Sequence, residues 1–227
     1  MSFRGSLRSA TLVWCAVFAG AWLWAGAPRA YADEPKPKPE NTISVQLGEP
    51  IVPQKFSPAP KFWIADVTDR SGNPQPMLVM KERGGVFLDK APTATVKEAI
   101  EQPLKAANLL AQDAASADLV LRIYLFHFGL ASGSGLDFFG KVEFTIVVKN
   151  PKTGESQEVK AAGTSIANGA FRKKNMQKNV QENIEAALHD ATRNFVRGTQ
   201  LKEAVAALWK APDGTQVQGE APKTQGK

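Results

Sequence analysis

The sequence predicts an α+β fold, a two-layer sandwich in which a mostly antiparallel sheet carries two main helices on one face. Three observations predict it. First, two strand patterns, residues 118–128 and 141–149, follow each other with only a glycine-rich turn between them. Second, the later of the two alternates, with Val142, Phe144, Ile146 and Val148 on one side and Lys141, Glu143, Thr145, Val147 and Lys149 on the other. That is the period of a half-buried strand. Third, the strands are bracketed by two helical patterns, each with one apolar stripe, and such helices can share one side of a sheet.

The elements follow in order. Residues 1–32 read as a secretory signal: Arg4 and Arg8 precede an apolar run at 11–27, Pro28 and Arg29 break it, and Ala30-Tyr31-Ala32 is an A-x-A cleavage site. Cleavage after Ala32 is expected, which directs the chain to the periplasm or outside the cell. The one cysteine, Cys15, lies inside the apolar run next to Trp14. A lipoprotein cysteine follows small residues at the end of such a run, so a lipid anchor is not expected at Cys15. The mature chain then lacks cysteine, which excludes disulfides, thiolate metal sites and a cysteine nucleophile. Removing 32 of the 227 residues leaves 195, and removes three of the 28 basic residues and none of the 22 acidic ones. The net charge falls from +6 to +3, which does not argue for nucleic acid. The size suits one domain with one core.

DEPKPKPE at the mature start is a charged, proline-alternating tether, giving a linker at 33–41. Residues 43–47 alternate and read as a short strand, 57–60 as a linker, and 61–68 as a strand closed by the turn formers Asp69, Arg70, Ser71, Gly72, Asn73 and Pro74. Residues 77–88 are ambiguous, with MLVM and VFL as short strands about a Gly84-Gly85 turn. Thr95 and Glu98 have capping-box spacing and open a helix whose face is Val96, Ala99, Ile100 and Leu104; Pro103 should kink or divide it. After the two central strands come a turn at 150–154 and a weaker strand at 156–166. A long helix then carries Val180, Ile184, Ala187, Leu188, Ala191 and Phe195 on one stripe, interrupted at Gly198 before a last helical segment at 200–209. The folded domain is therefore 42–209. The polar, Gly- and Pro-rich tail at 210–227 is expected to be disordered.

Gly135, Gly140 and Lys141 match the spacing of a phosphate-binding loop. Such a loop needs a Ser or Thr for magnesium and a helix behind it to face the anion. Val142 stands where the hydroxyl should be, and the following residues are strand. Nucleotide binding is not expected, and no other cofactor is implied. The dinucleotide fingerprint fails as well, with Phe138 at the third glycine position. The stretch reads as a hairpin tip whose Leu130, Leu136, Phe138 and Phe139 are unusually apolar. Two readings stay open: Phe138 and Phe139 pack on the core as strand residues, or the tip is an apolar finger that touches a partner or a lipid surface.

Other candidates are fewer. His127 and His189 have no metal-ligand spacing to any other residue, so no metal is expected. Asp66 and Asp69 could serve acid–base chemistry, but turn capping by Asp69 is the plainer account. Arg172, Lys173 and Lys174 form a basic entry to the last helix, either a solvated face or a contact with an anionic glycan or lipid.

The progression from Ile43-Ser44-Val45 through IADVTDRSG, TVKEAIEQPLKAANL, ADLVLRIYLFHF, KVEFTIVVKNPKTG and NIEAALHDATRNFV resembles the YajG family of uncharacterised bacterial envelope lipoproteins, over about residues 42–208. A D-x-R feature of that pattern is matched poorly, because Asp69 and Arg70 are adjacent. The resemblance implies an α/β envelope domain and carries no catalytic residues. Family members are anchored through a cysteine at the mature N-terminus, where this chain has Asp33, so the resemblance implies a soluble periplasmic version.

The sequence thus points to an exported, non-enzymatic protein that binds or supports another envelope component, through Leu136, Phe138, Phe139, Arg172, Lys173 and Lys174. The partner is an envelope protein, an anionic glycan or a lipid surface. The alternatives are a small-ligand or lipid carrier, which needs a closed apolar cavity, and a cell-wall hydrolase, which needs two of Asp66, Asp69 and His127 to converge.

Overall fold

The computed structural model describes residues 42–72, 77–79, 86–132, 138–165, 175–210 and 218–220. The signal segment, the tether, Leu136 and the basic residues Arg172, Lys173 and Lys174 lie outside them. The elements are β1 (Thr42–Ile43), β2 (Lys55–Ser57), β3 (Phe62–Asp69), β4 (Met77–Val79), β5 (Val86–Leu88), α1 (Pro92–Ala106), β6 (Leu119–Ser132), β7 (Phe138–Lys149), β8 (Ser156–Thr164), α2 (Met176–Arg197), α3 (Thr199–Leu208) and β9 (Gln218–Glu220).

The fold is the expected α+β sandwich. Its main sheet has the order β3-β6-β7-β8. The pairs β6–β7 and β7–β8 are antiparallel, as short turns require. β3 and β6 run parallel. A parallel neighbour needs a crossover, and α1 lies in the connection from β3 to β6. Two smaller sheets accompany it. β1 joins β5, which forms a hairpin pairing with β4, and β2 pairs antiparallel with β9 in the polar tail.

Several boundaries differ from the sequence reading. The first strand ends at Ile43 instead of reaching Leu47; at Gln46 the backbone N–H donates to Glu185 Oε1 at 2.8 Å, and so leaves a sheet for a helix side chain. Thr95 does not open α1. The helix starts at Pro92, whose fixed φ suits a first helical position, with Ala91 before it. Thr95 is instead buried in the first turn, where its hydroxyl donates to Ala91 O at 3.3 Å, and Glu98 meets Lys90 Nζ at 3.0 Å. Pro103 does not divide the helix, which runs on to Ala106. It then closes in a Schellman turn: Leu109 N–H donates to Leu104 O at 2.7 Å and Asn108 N–H to Lys105 O at 3.0 Å, with Asn108 at φ 55°. Gly198 does interrupt the last helical region, between α2 and α3.

The core lies between the sheet and the helices. Leu119, Leu121, Ile123 and Leu125 of β6 and Val142, Phe144, Ile146 and Val148 of β7 meet Ile100 and Leu104 of α1, Leu188 and Phe195 of α2 and Val205 of α3. Each such buried side chain contributes about 1.5–3 kcal/mol relative to exposure. α2 lies very close to the sheet. A Cβ on Gly140 would stand 2.1 Å from Asn183 O, and one on Gly163 2.1 Å from Ala187 O. Gly140 is thus a point of close helix approach inside β7. A second cluster of Ile43, Val86, Leu88, Val180 and Ile184 sits under β5, with Leu130 packed against it.

Candidate functional site

All three helices cover one face of the main sheet, so the other face is where chemistry can be presented. Its residues are fixed by the pleat, which sends alternate side chains to opposite sides. From β7 come Phe139, Lys141, Glu143, Thr145 and Val147; Lys160 and Ala162 of β8 stand opposite Thr145 and Glu143. From β6 come Arg122 and Tyr124, opposite Val147 and Thr145.

Two bulges modify this face. In β6, Leu125 pairs with Phe144 and His127 with Glu143, so Phe126 is an extra residue. In β3, Ile64 pairs with Leu121 and Asp66 with Arg122, so Ala65 is extra. A bulge re-aims side chains and sharpens the local twist. Phe126 continues the outward side of Arg122 and Tyr124 and is 46% exposed; the consequence of the bulge is that the following residues change sides, so that His127 joins the open face beside it and Phe128 turns inward opposite Val142. Arg70, just beyond β3, holds its guanidinium carbon 4.2 Å from the centre of the Tyr124 ring. Together these residues border an open, shallow concavity of about 710 Å³, lined among others by Arg70, Tyr124, Phe126, Glu143, Thr145 and Lys160.

The electrostatics are mixed in sign. Lys141 Nζ lies 2.9 Å from Glu143 Oε1, and Arg122 Nε lies 3.8 Å from Asp66 Oδ1. His127 feels both members of the first pair. Loss of hydration and the Lys141 charge push its pKa below the usual 6.5, with Glu143 opposing them. Its Nε2 is buried with no hydrogen-bond partner among the described residues. The concavity itself mixes the aromatic Tyr124 and Phe126 with the charged Arg70, Glu143, Glu158 and Lys160.

The sequence-predicted residues divide as follows. Phe138 and Phe139 are strand residues, paired with Ser132 and Ala131, and both are partly exposed. The pleat sends them to opposite faces, with Phe139 on the open one. Among the described residues they lie on a two-stranded ribbon, since β3 pairs β6 as far as Leu125, β8 pairs β7 from Lys141 onward, and the last bond beyond that is from Ser165 N–H to Gly140 O. Leu130, also taken as part of the tip, packs on the second core cluster. Asp66 and Asp69 do not converge. Asp66 accepts from the Thr68 hydroxyl at 3.1 Å, while Asp69 Oδ1 accepts the Ser71 N–H at 2.8 Å, the turn-capping arrangement. His127 is five positions along β6 from the partner of Asp66, roughly 15 Å at strand rise. Among the described residues no three His, Cys, Asp or Glu side chains gather as a metal site.

Sequence reasoning missed Arg70, Tyr124 and Phe126. Nearly every position of LVLRIYLFHF is apolar, so its alternation does not say which side is buried, and the bulge that switches the sides of His127 and Phe128 leaves no mark in the sequence.

The described region is thus a two-layer α+β domain with one bare, aromatic sheet face. No family model and no curated protein matches the chain. Solved structures do. Protein XCC0632 from Xanthomonas campestris, of family DUF330, superimposes with a TM-score of 0.57 at 12% identity, covering 71% of this chain and 96% of that one. Weaker matches include a PelC dodecamer from Paraburkholderia phytofirmans, TM-score 0.34 at 15% identity over 63% of this chain and 93% of that one. A minor lipoprotein from Acinetobacter baumannii matches with TM-score 0.31 at 11% identity over 63% and 94%. Bacterial lipoproteins are thus among the matches. The likeness to XCC0632 shows the fold, and none of these three names is YajG.

Proposed function

We propose that this chain is an exported, non-enzymatic protein of the bacterial periplasm that binds an envelope protein through the open face of its main sheet. The carrying observation is the half-exposed Phe126, beside the Arg70-capped Tyr124 ring, on a face that no described element covers. Such aromatics at a surface concavity are typical of contact centres. The leader ending at Ala32 and the proline-rich tether support the location. The resemblance to the YajG family agrees with it. On this reading the molecule is divided into a cleaved signal at 1–32, a tether at 33–41, the domain at 42–209 and a polar tail. Phe139 extends the contact surface along the ribbon and Phe138 edges it; Leu136 joins the same contact, and Arg172, Lys173 and Lys174 give a second, basic contact for an anionic glycan or lipid surface. Among the described residues, the pocket between α1, α2 and residues 46–51 holds only about 20 Å³, room for one water and not for a lipid chain.

The test is affinity capture from native envelopes with residues 33–227 and with a Tyr124→Ser/Phe126→Ser variant whose thermal unfolding matches the parent. A protein held by the parent and lost by the variant is the expected result. A partner held equally by both sinks the open-face assignment, and a Phe138→Ser/Phe139→Ser variant then tests the ribbon. Binding to phosphatidylglycerol vesicles that is lost when Arg172, Lys173 and Lys174 become Gln assigns the basic contact to lipid.

A further inference from the structure

Among the described residues β8 is the outer strand of the main sheet, and an outer strand offers unpaired N–H and C=O groups to any second strand. In an antiparallel pair both groups of a residue point the same way, and alternate residues point away from the partner. At Lys160, Ala162 and Thr164 those outward groups meet side chains of the helices. Lys160 N–H donates to Gln200 Oε1 at 3.0 Å, Asn194 Nδ2 donates to Ala162 O at 2.8 Å, and Thr164 N–H donates to Asp190 Oδ2 at 3.4 Å. Asp190 is in turn held by Arg193 Nη2. Three successive outward positions thus have a donor or acceptor of the right kind opposite them, as a neighbouring strand would supply.

Nothing about helix packing demands this. Asn194 and Gln200 are exposed, and α2 approaches β8 at Gly163 through Ala187 and Ala191. The edge itself is otherwise suited to strand addition: β8 has nine residues, contains no proline, and pairs with β7 without a register shift. We propose that Asp190, Asn194 and Gln200 form a side-chain lock that occupies the β8 edge and keeps it from pairing with β8 of a second copy of this chain. Two β8 edges meeting antiparallel about a two-fold axis form one continuous sheet, the isologous arrangement that a self-pairing edge permits.

The experiment uses residues 33–227 and an Asn194→Ala/Gln200→Ala variant. Sedimentation is followed from low to high micromolar concentration, with far-ultraviolet circular dichroism confirming the fold. The variant is expected to rise to twice the parent's mass with concentration. A folded variant with the parent's mass at every concentration overturns the lock. Adding Ala162→Pro, which removes an N–H that points away from β7, should return the variant to the parent's mass. A dimer that persists through Ala162→Pro uses another surface and also overturns the assignment. Hydrogen exchange in the unmodified protein is independent of how the variants fold. The amides of Lys160 and Thr164 should exchange at least about tenfold slower than exposed coil, and coil-like rates at both sink the proposal.

Discussion

The two sides of β6 carry different kinds of information. Toward the helices the strand buries Leu119, Leu121, Ile123 and Leu125 completely. Toward the open face it places Arg122, Tyr124 and the bulged Phe126. The buried side is a packing solution in which each residue has neighbours of set volume. The open side has bulges, a guanidinium stacked on a ring and a shielded histidine, features that packing alone does not call for. The contrast separates what makes this chain fold from what it offers to a partner, and substitutions on either side should report on different properties.

The largest effect is expected at Gly163. A side chain there points at α2, with Cβ only 2.1 Å from Ala187 O and 2.2 Å from Ala191 N. These are backbone atoms, so the helix itself must move. Gly163→Val should lower stability by at least about 3 kcal/mol, at the upper end of overpacking costs. Ala162→Val, one residue away on the open face, should change it by less than about 0.5 kcal/mol. Urea unfolding with equal slopes reads both values. Equal losses at the two positions would break the distinction between the faces.

Next comes the pair Ile123 and Tyr124. Ile123 is fully buried, and Ile123→Ala should cost about 3 kcal/mol through lost burial and the cavity left behind. Arg70→Ala removes the cation from the Tyr124 ring and should cost only about 0.5–1 kcal/mol, the exposed cation–π range. Partner capture should respond in the opposite order, surviving a folded Ile123→Val and weakening with Arg70→Ala.

How far the sequence could be read follows the same division. Val142, Phe144, Ile146 and Val148 alternate with polar or less buried neighbours, and the structure buries all four. The α2 stripe from Val180 to Phe195 was legible for the same reason, since one buried face imposes a period. The parallel β3–β6 pairing was not, because direction depends on α1 crossing between them and not on either strand's pattern. Local signals also misled where tertiary contacts prevailed. Thr95 had the spacing of a cap, yet Pro92 is the better first helical residue and Thr95 is buried. Of the apolar residues read at the hairpin tip, Phe139 falls on the open face, while Leu130 is partly buried against the second cluster. Tyr124 and Phe126 looked like every other apolar residue in their strand, because both sides of that strand are apolar and nothing in it marks which side meets the helices.

The smallest effect concerns His127 and tests the shielding of the open face directly. Burial and Lys141 hold its pKa below 6.5 in the folded protein, against Glu143, whereas the unfolded chain has the ordinary value. Well above pH 6.5 both states carry neutral imidazole and no stability is at stake. As the pH falls below 6.5 the unfolded chain takes up a proton first, so this group lowers stability until the folded-state pKa is passed, and the loss then levels off. His127→Gln should remove that part of the pH dependence. Proton-detected titration of the His127 ring should give a value below 6.5, moved upward by Lys141→Gln and further downward by Glu143→Gln. Movement in the reverse order would mean that the ring turns away from the β7 pair. A value at or above 6.5 would mean that Nε2 is open to water and that the ring is not shielded where β6 and β7 meet beyond the bulge.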